Sequence, residues 1–296
     1  MTPSYRLTLV ARKAGDALAA AIAAVQAAGA VSEYALSEDT VRIDTTDYRK
    51  LVLQLSPGFA NEQARSLLLQ NRTGLAAYAI TPGDMPAMRL AVFDTDSTFI
   101  NEEVIDEIAA FAGYKPQVAA ITERAMRGEL DFNAALAERV ALLKGLPAAT
   151  LDTVRAEKLS LTKGAEELTQ ALHGAGVKTY LLSGGFNFVT GHFTRTLAMT
   201  GQFANELEVA AGMLTGKTQG AIVNRQRKAE LLREIAVGHN IDSSASVAVG
   251  DGANDLDMCR QSGLGIAFCA KSALLSETFA AIFERDLRLV LSLIHI

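Results

Sequence analysis

Four short apolar runs stand out in the last two thirds of the chain: Leu90–Phe93, Thr179–Leu182, Ser246–Val249 and Leu264–Phe268. None alternates with polar residues, as a half-exposed strand would. Each therefore predicts a strand covered on both faces, as in a parallel sheet. Helical periodicity lies between them, so the pattern predicts a doubly wound α/β fold. About 85 residues separate the first run from the second, too many for one crossover helix. Within them apolar positions recur at helical spacing: Val104, Ile105, Ile108 and Phe111, then Val118, Ile121 and Met126, then Phe132 to Leu143. This predicts a small helical cap at about residues 101–161, inserted over the strand ends.

The first 85 residues have a different texture. Strands are expected at Arg6–Ala11, Leu51–Leu55 and Leu75–Ile80, and helices at Ala14–Ala28 and Ala60–Leu69. Val31–Ala35 and Asp39–Asp44 suggest a further strand pair around a Ser37-Glu38 turn. The order resembles a βαββαβ ferredoxin-like module, with its ACT-like variant as an option, and has one strand too many. Thr81-Pro-Gly-Asp-Met-Pro86 is rich in breakers and marks the expected boundary. Residues 1–85 would then form one domain and residues 86–296 a second domain with its cap. A chain beginning near Met85 would be expected to keep its chemistry.

Composition narrows the function. Net charge is -5, with no basic excess, which disfavours nucleic acid as a partner. Cys259 and Cys269 cannot build a disulfide framework, and the four histidines show no metal-ligand spacing. The longest uncharged stretches, Ala17–Ser32 and Thr179–Thr194, fall short of the roughly 18–20 residues of a spanning helix, so no membrane partner is expected. Arg12 and Lys13 before an Ala-rich run superficially suggest a secretory leader. Asp16 interrupts the join, and Leu18, Ile22 and Val25 recur at helical spacing, so an amphipathic helix is the simpler reading. A reducing cytoplasm fits the few cysteines.

The residues suited to chemistry cluster after the apolar runs, where open α/β sheets bind ligands. Asp94 and Asp96 follow the first, Ser183-Gly-Gly185 the second, and Gly250-Asp-Gly-Ala-Asn-Asp255 the third. Carboxylates brought together from two strand ends repel one another unless a cation or proton lies between them. Hard oxygen donors suit Mg²⁺. An Asp-Gly turn or a helix cap would explain either acidic cluster alone, but not both together with the Ser-Gly-Gly stretch. Arg225, Arg227 and Lys228 offer a cation for phosphate, and spacing alone does not choose among them.

Phe93-Asp-Thr-Asp-Ser-Thr98, Ser183-Gly-Gly-Phe186 and Gly250-Asp-Gly-Ala-Asn-Asp-Leu256 resemble the signature motifs of haloacid-dehalogenase-type phosphatases. Glu103–Ala109, Thr122–Phe132 and Ala204-Asn-Glu-Leu-Glu208 resemble the phosphoserine phosphatase branch of that superfamily. The likeness is collinear from about Arg89 to Leu291. Two positions depart from the pattern: Thr95 stands where an apolar residue is usual, and Asn224 where Asp is common. The resemblance implies a nucleophilic Asp94, with Asp96 as proton donor and acceptor. It implies Mg²⁺ held by Asp94, the Asp96 backbone carbonyl and Asp251, with Asp255 behind them. Ser183, Gly184, Lys228 and Asn254 would bind the phosphoryl group. On the cap, Glu103 would meet an ammonium, Arg139 a carboxylate, and Met126 and Phe132 would be apolar walls. The implied partner is a small molecule, phosphoserine, with a homodimer as an option for assembly. A phosphotransferase using the same Asp94 intermediate, and a non-catalytic amino-acid-binding regulator, are the competing function classes. No role is assigned to Ser292–Ile296.

Overall fold

The computed structural model describes residues 4–296, and of residues 32–36 the backbone only. The first module runs β1 (Tyr5–Arg12), α1 (Ala17–Ala27), β2 (Val31–Ile43), β3 (Thr46–Leu55), α2 (Asn61–Gln70) and β4 (Leu75–Pro82). Its strands lie in the order β2-β3-β1-β4, all antiparallel, which is the ferredoxin-like arrangement. Leu9 stands opposite both Leu51 and Tyr78, so apolar side chains from three strands share the face covered by Leu18, Ala21 and Val25 of α1.

One expectation fails here. Val31–Ala35 and Asp39–Asp44 are not a strand pair around Ser37-Glu38. They belong to one 13-residue strand, β2, and the chain reverses instead at Asp44, whose φ is 52°. Residues 37–40 are exposed on the outermost strand of the sheet. With no partner strand on that side among the described residues, polar residues are tolerated in a strand and imitate a turn. The surplus strand thereby disappears.

The rest begins with β5 (Leu90–Phe93), followed by the cap helices α3 (Val104–Phe111), α4 (Lys115–Met126), α5 (Phe132–Ala141) and α6 (Ala149–Lys158). The chain returns through α7 (Ala165–Gly174), β6 (Lys178–Phe186), α8 (Asn187–Thr196), β7 (Gly201–Ala210), β8 (Met213–Gln219) and α9 (Arg225–Gly238). It ends with β9 (Ser246–Gly250), α10 (Leu256–Gln261), β10 (Leu264–Phe268), α11 (Ser272–Leu275), β11 (Ala280–Ile282) and α12 (Leu289–Ile294). Strands β11-β10-β9-β5-β6-β7 are parallel neighbours. All four residues of β5 are buried. Burying a Leu or Phe side chain stabilises by about 1.5–3 kcal/mol, so this central strand is firmly anchored and its C-terminal end is a rigid platform.

Two features lie outside the sequence reading. Strands β7 and β8 form a hairpin whose two-residue turn, Ala211-Gly212, has φ of 49° and 76°, the left-handed pair that suits a tight hairpin. The hairpin docks on the cap through hydrogen bonds from the Gly145 N–H to the Leu214 carbonyl and from the Ala148 N–H to the Gly212 carbonyl. Secondly, β11 pairs antiparallel with β4, Ala281 opposite Tyr78, so both modules share one eleven-stranded sheet. Residues 292–294, for which the sequence suggested no role, lie in α12, where Leu293 and Ile294 are buried in the core.

Candidate active site

The cap hangs over the C-terminal ends of the parallel strands by a narrow neck. Ile100 bridges Leu161, and the Asn101 N–H donates to the Ser160 carbonyl (3.1 Å). Between cap and strand ends lies a cavity of about 420 Å³. Every site residue that the resemblance implies lines it except Lys228 and Asp255, which are fully buried.

Asp94 is the first residue beyond β5. Its N–H extends the ladder to the Val249 carbonyl (2.9 Å), and its Oδ1 accepts from the Thr95 N–H (2.7 Å). The Lys228 Nζ, fully buried in the first turns of α9, donates to Asp94 Oδ1 (2.6 Å) and Asp255 Oδ1 (2.7 Å). Burial works against the lysine charge, but Asp255 and Asp94 outweigh it and hold the ammonium above its ordinary pKa. The neighbouring basic residues turn away: Arg225 pairs with Asp257, and Arg227 with Glu230 and Glu234. That settles which of the three points inward.

Asp255 is buttressed from below. Its Oδ2 accepts the N–H groups of Asp251 (3.2 Å) and Gly252 (3.1 Å), closing the turn after β9. Burial, then the charge of Asp94, pushes its carboxyl up to about 7. Gly250 is required by this packing, since a Cβ there would come within 2.4 Å of the Asp255 carboxyl carbon. Oxygens of Asp94, Asp251 and Asp255 all lie within 4.8 Å of one another. Both Asp255 oxygens are committed to Lys228 and the backbone, which leaves Asp94 and Asp251 as the natural metal donors. The set is hard, anionic and partly buried, and it fits a small divalent cation. Lys271, which also lines the cavity, pairs with Asp251 at 3.1 Å.

Ser183 and Gly184 lie in the last part of β6, where its pairing with β7 is interrupted between Leu182 and Phe186. The Gly185 N–H donates to Ser183 Oγ (2.9 Å). Buried Asn205 clamps this stretch, donating from Nδ2 to the Gly184 carbonyl (2.8 Å) while its Oδ1 accepts the Val223 N–H (2.8 Å). Asn254 Nδ2 reaches Asp94 Oδ2 (3.3 Å). Cap and core touch at Gly184, where a Cβ would meet Phe132 Cζ at 2.9 Å.

Asp96 lies on the cavity wall in the irregular turn that leaves Asp94. Its Oδ2 accepts the Val104 N–H (3.1 Å), and its Oδ1 is buried with no partner among the described residues. Burial, then the charges of Glu103 and Asp94, raise its pKa well above the ordinary carboxylate value. Glu103, just before α3, accepts from Ser97 Oγ (2.9 Å), and burial raises its pKa too. Arg139, in the last turn of α5, donates only to the Ala135 carbonyl (3.2 Å). Among the described residues no carboxylate pairs with it. Burial lowers its pKa against the pull of Asp106, Glu103 and Asp96. Met126 lines the cavity and is 83% exposed.

Sequence reasoning gave no role to Asn205, Lys271 or Ser97. Asn205 lay inside a recognised motif, but its use as a clamp depends on strands far apart in the chain.

Lys228 carries a stability prediction. Lys228→Met should lower stability by about 3–5 kcal/mol, because it leaves two buried carboxylates uncompensated. Urea unfolding at neutral pH measures it. A loss below about 1 kcal/mol, the range of exposed pairs, would mean that the cluster is wetter than the geometry indicates.

Comparison with known proteins agrees with this geometry. The profile of the haloacid dehalogenase-like hydrolases matches residues 91–260. A phosphoserine phosphatase of Archaeoglobus fulgidus is 46% identical over 199 residues, 67% of this chain and 58% of that protein. The match thus spans little more than half of that relative. A solved phosphoserine phosphatase carrying a phospho-aspartyl intermediate analogue is 41% identical, covers 70% of this chain and 98% of its own, and superposes with a TM-score of 0.65. A haloacid dehalogenase family hydrolase from Salmonella enterica serovar Typhi is similar over 99% of both chains, at 32% identity and a TM-score of 0.83, so the first module and its placement recur there. This chain belongs to the haloacid dehalogenase-like hydrolases, and within them to the phosphoserine phosphatase family.

Proposed function

We propose that the chain hydrolyses O-phospho-L-serine to L-serine and phosphate, the last step of serine biosynthesis, in the cytoplasm. One observation carries the reading. A buried aspartate held by a buried lysine faces a cavity that is also lined by one partly buried carboxylate, Glu103, and by one guanidinium, Arg139, without an ion partner among the described residues. A phosphate cradle below and a pair of opposite charges above suit a phosphorylated amino acid, whose ammonium and carboxylate need those two partners.

Asp94 attacks phosphorus, and the bond from phosphorus to the serine oxygen breaks. Asp96, in its protonated form, gives its proton to that departing oxygen. Asp96 then takes a proton from the water that cleaves the phosphoaspartate, returning Asp94 as a carboxylate. Ser183, the Gly184 N–H, Lys228 and Asn254 bind the phosphoryl oxygens, on which charge accumulates. Mg²⁺, held by Asp94, the Asp96 backbone carbonyl and Asp251, would neutralise phosphoryl charge when bound. Phe132 closes the cap against Gly184 and keeps bulk water out.

A phosphate-release panel tests this: phosphoserine, phosphothreonine, phosphoethanolamine and phosphoglycerate, each with Mg²⁺ and with chelator. Phosphoserine should be turned over fastest, and chelator should stop all four. A preference for phosphoglycerate, which lacks the ammonium, would overturn the assignment of Glu103.

A further inference from the structure

Glu284, Arg285 and Asp286, shortly after β11, are held from opposite sides. Glu284 faces the first module: its carboxylate accepts a fork from Arg12 (Nε 3.0 Å, Nη2 2.9 Å) and the Tyr48 hydroxyl (2.9 Å). Asp286, buried, accepts from Arg288 Nη2 (2.6 Å). Arg288 in turn reaches Asp44 at the tip of the β2–β3 hairpin with both Nη atoms (2.6 and 2.7 Å). Both flanking carboxylates are thus tied to the first module, and β11 itself is paired with β4.

Arg285, between them, serves the other module. Its Nη2 donates to the Ser97 carbonyl (3.0 Å) and its Nη1 to Asn101 Oδ1 (3.3 Å), while its guanidinium lies 5.7 Å from the Phe268 ring centre. Ser97 has a left-handed φ of 57°, unusual for a residue with a Cβ, and its hydroxyl holds Glu103. Asn101 spans the neck of the cap: its Nδ2 donates to Ser160 Oγ (3.0 Å) and the Leu161 carbonyl (3.1 Å).

We propose that Arg285 is a positioning residue for Glu103 and the cap neck, and that the first module holds it in place through Glu284 and Asp286. A left-handed serine persists only where its surroundings hold it. Arg285 grips its carbonyl, which keeps the hydroxyl aimed at Glu103, and the same guanidinium ties down the neck of the cap. The module's contribution is to fix both residues that flank Arg285.

The substrate arm of the test rests on the phosphoserine reading. Arg285→Ala should raise KM for phosphoserine about three- to tenfold, the range of a partly exposed hydrogen-bond group, with kcat within about twofold. p-Nitrophenyl phosphate offers Glu103 no ammonium, and its kcat/KM should change less than about twofold. Equal losses on both substrates would overturn the role at Glu103.

The second arm needs no substrate. Hydrogen exchange at the Ile100, Asn101 and Thr162 amides, all bonded across or beside the neck, should quicken in Arg285→Ala. It should quicken to a smaller degree in the full-length double variant Arg12→Ala/Tyr48→Phe, which frees Glu284. Unchanged exchange in Arg285→Ala overturns the proposal, and unchanged exchange in the double variant alone overturns the link to the first module. If the wild-type chain fails to turn over phosphoserine, the function reading falls while the exchange measurement still decides this one.

Discussion

Asp94→Asn should abolish turnover, by more than about 10⁴-fold, and leave the fold in place. The amide has no charge and attacks phosphorus poorly. The substitution removes one of the two carboxylates on Lys228, but Asp255 remains at 2.7 Å, so the ammonium keeps a buried partner. Asp94 is also a main electrostatic cause of the raised Asp255 pKa, so its neutralisation relieves repulsion inside the cluster. Both effects argue for a stable, inactive protein. Intact-mass spectrometry after rapid acid quench should find one phosphoryl group on the wild-type chain, and peptide mapping should place it on Asp94. The Asn variant should carry none. Normal phosphate release by that variant, or an adduct on another residue, would remove the covalent mechanism.

The elements most legible in the sequence are those buried on both faces. β5 and β10 match their apolar runs residue for residue, because a strand in the middle of a parallel sheet has no polar positions to disturb the pattern. Edge and short strands are the reverse. β2 exposes residues 37–40 and imitates a turn, while β11 has only Ala280-Ala-Ile282, too short to separate from the helical background. Missing β11 also hid the connection between modules. The breaker-rich linker at residues 81–86 suggests a separable first domain. Yet removing residues 1–85 would strip β4 from β11, turn a buried three-residue strand into an open edge and leave Glu284 without Arg12 and Tyr48.

The site divides in the same way. Asp94, Ser183 and Asp251 were legible because strand ends in a doubly wound fold are where ligands bind. Spacing could not distinguish Lys228 from Arg225 and Arg227, since all three stand in the first turn or so of α9. Only the packing of α9 on the strand ends decides it. Asn205, Ser97 and Arg285 act through contacts between segments distant in sequence, and no local pattern announces such contacts.

Arg139→Ala should lower kcat/KM for phosphoserine by roughly 30-fold to several-thousand-fold. Its guanidinium lines the cavity, half-buried, with a single hydrogen bond to its own helix and no carboxylate partner among the described residues. An arginine taken partly out of water without an ion partner is costly to hold, and a substrate carboxylate would supply that partner as a rigid, two-pronged pair. Losing a buried pair of this kind costs about 2–5 kcal/mol, and each 1.4 kcal/mol is tenfold in rate. Position agrees: Arg139 lies seven residues after Phe132 on α5, two turns apart, so both present to the cavity from one face of the helix. Phosphoethanolamine separates this role from a structural one. It keeps the ammonium for Glu103 but has no carboxylate, so it should be a poor substrate of the wild-type enzyme and lose little more in the variant. The deciding quantity is the ratio of the two losses. A ratio near one would mean that Arg139 supports α5 or balances the charges of Asp106 and Glu103, since either defect would slow both substrates alike. A ratio of tenfold or more assigns the carboxylate to Arg139, because no other difference between the two substrates is available for it to sense.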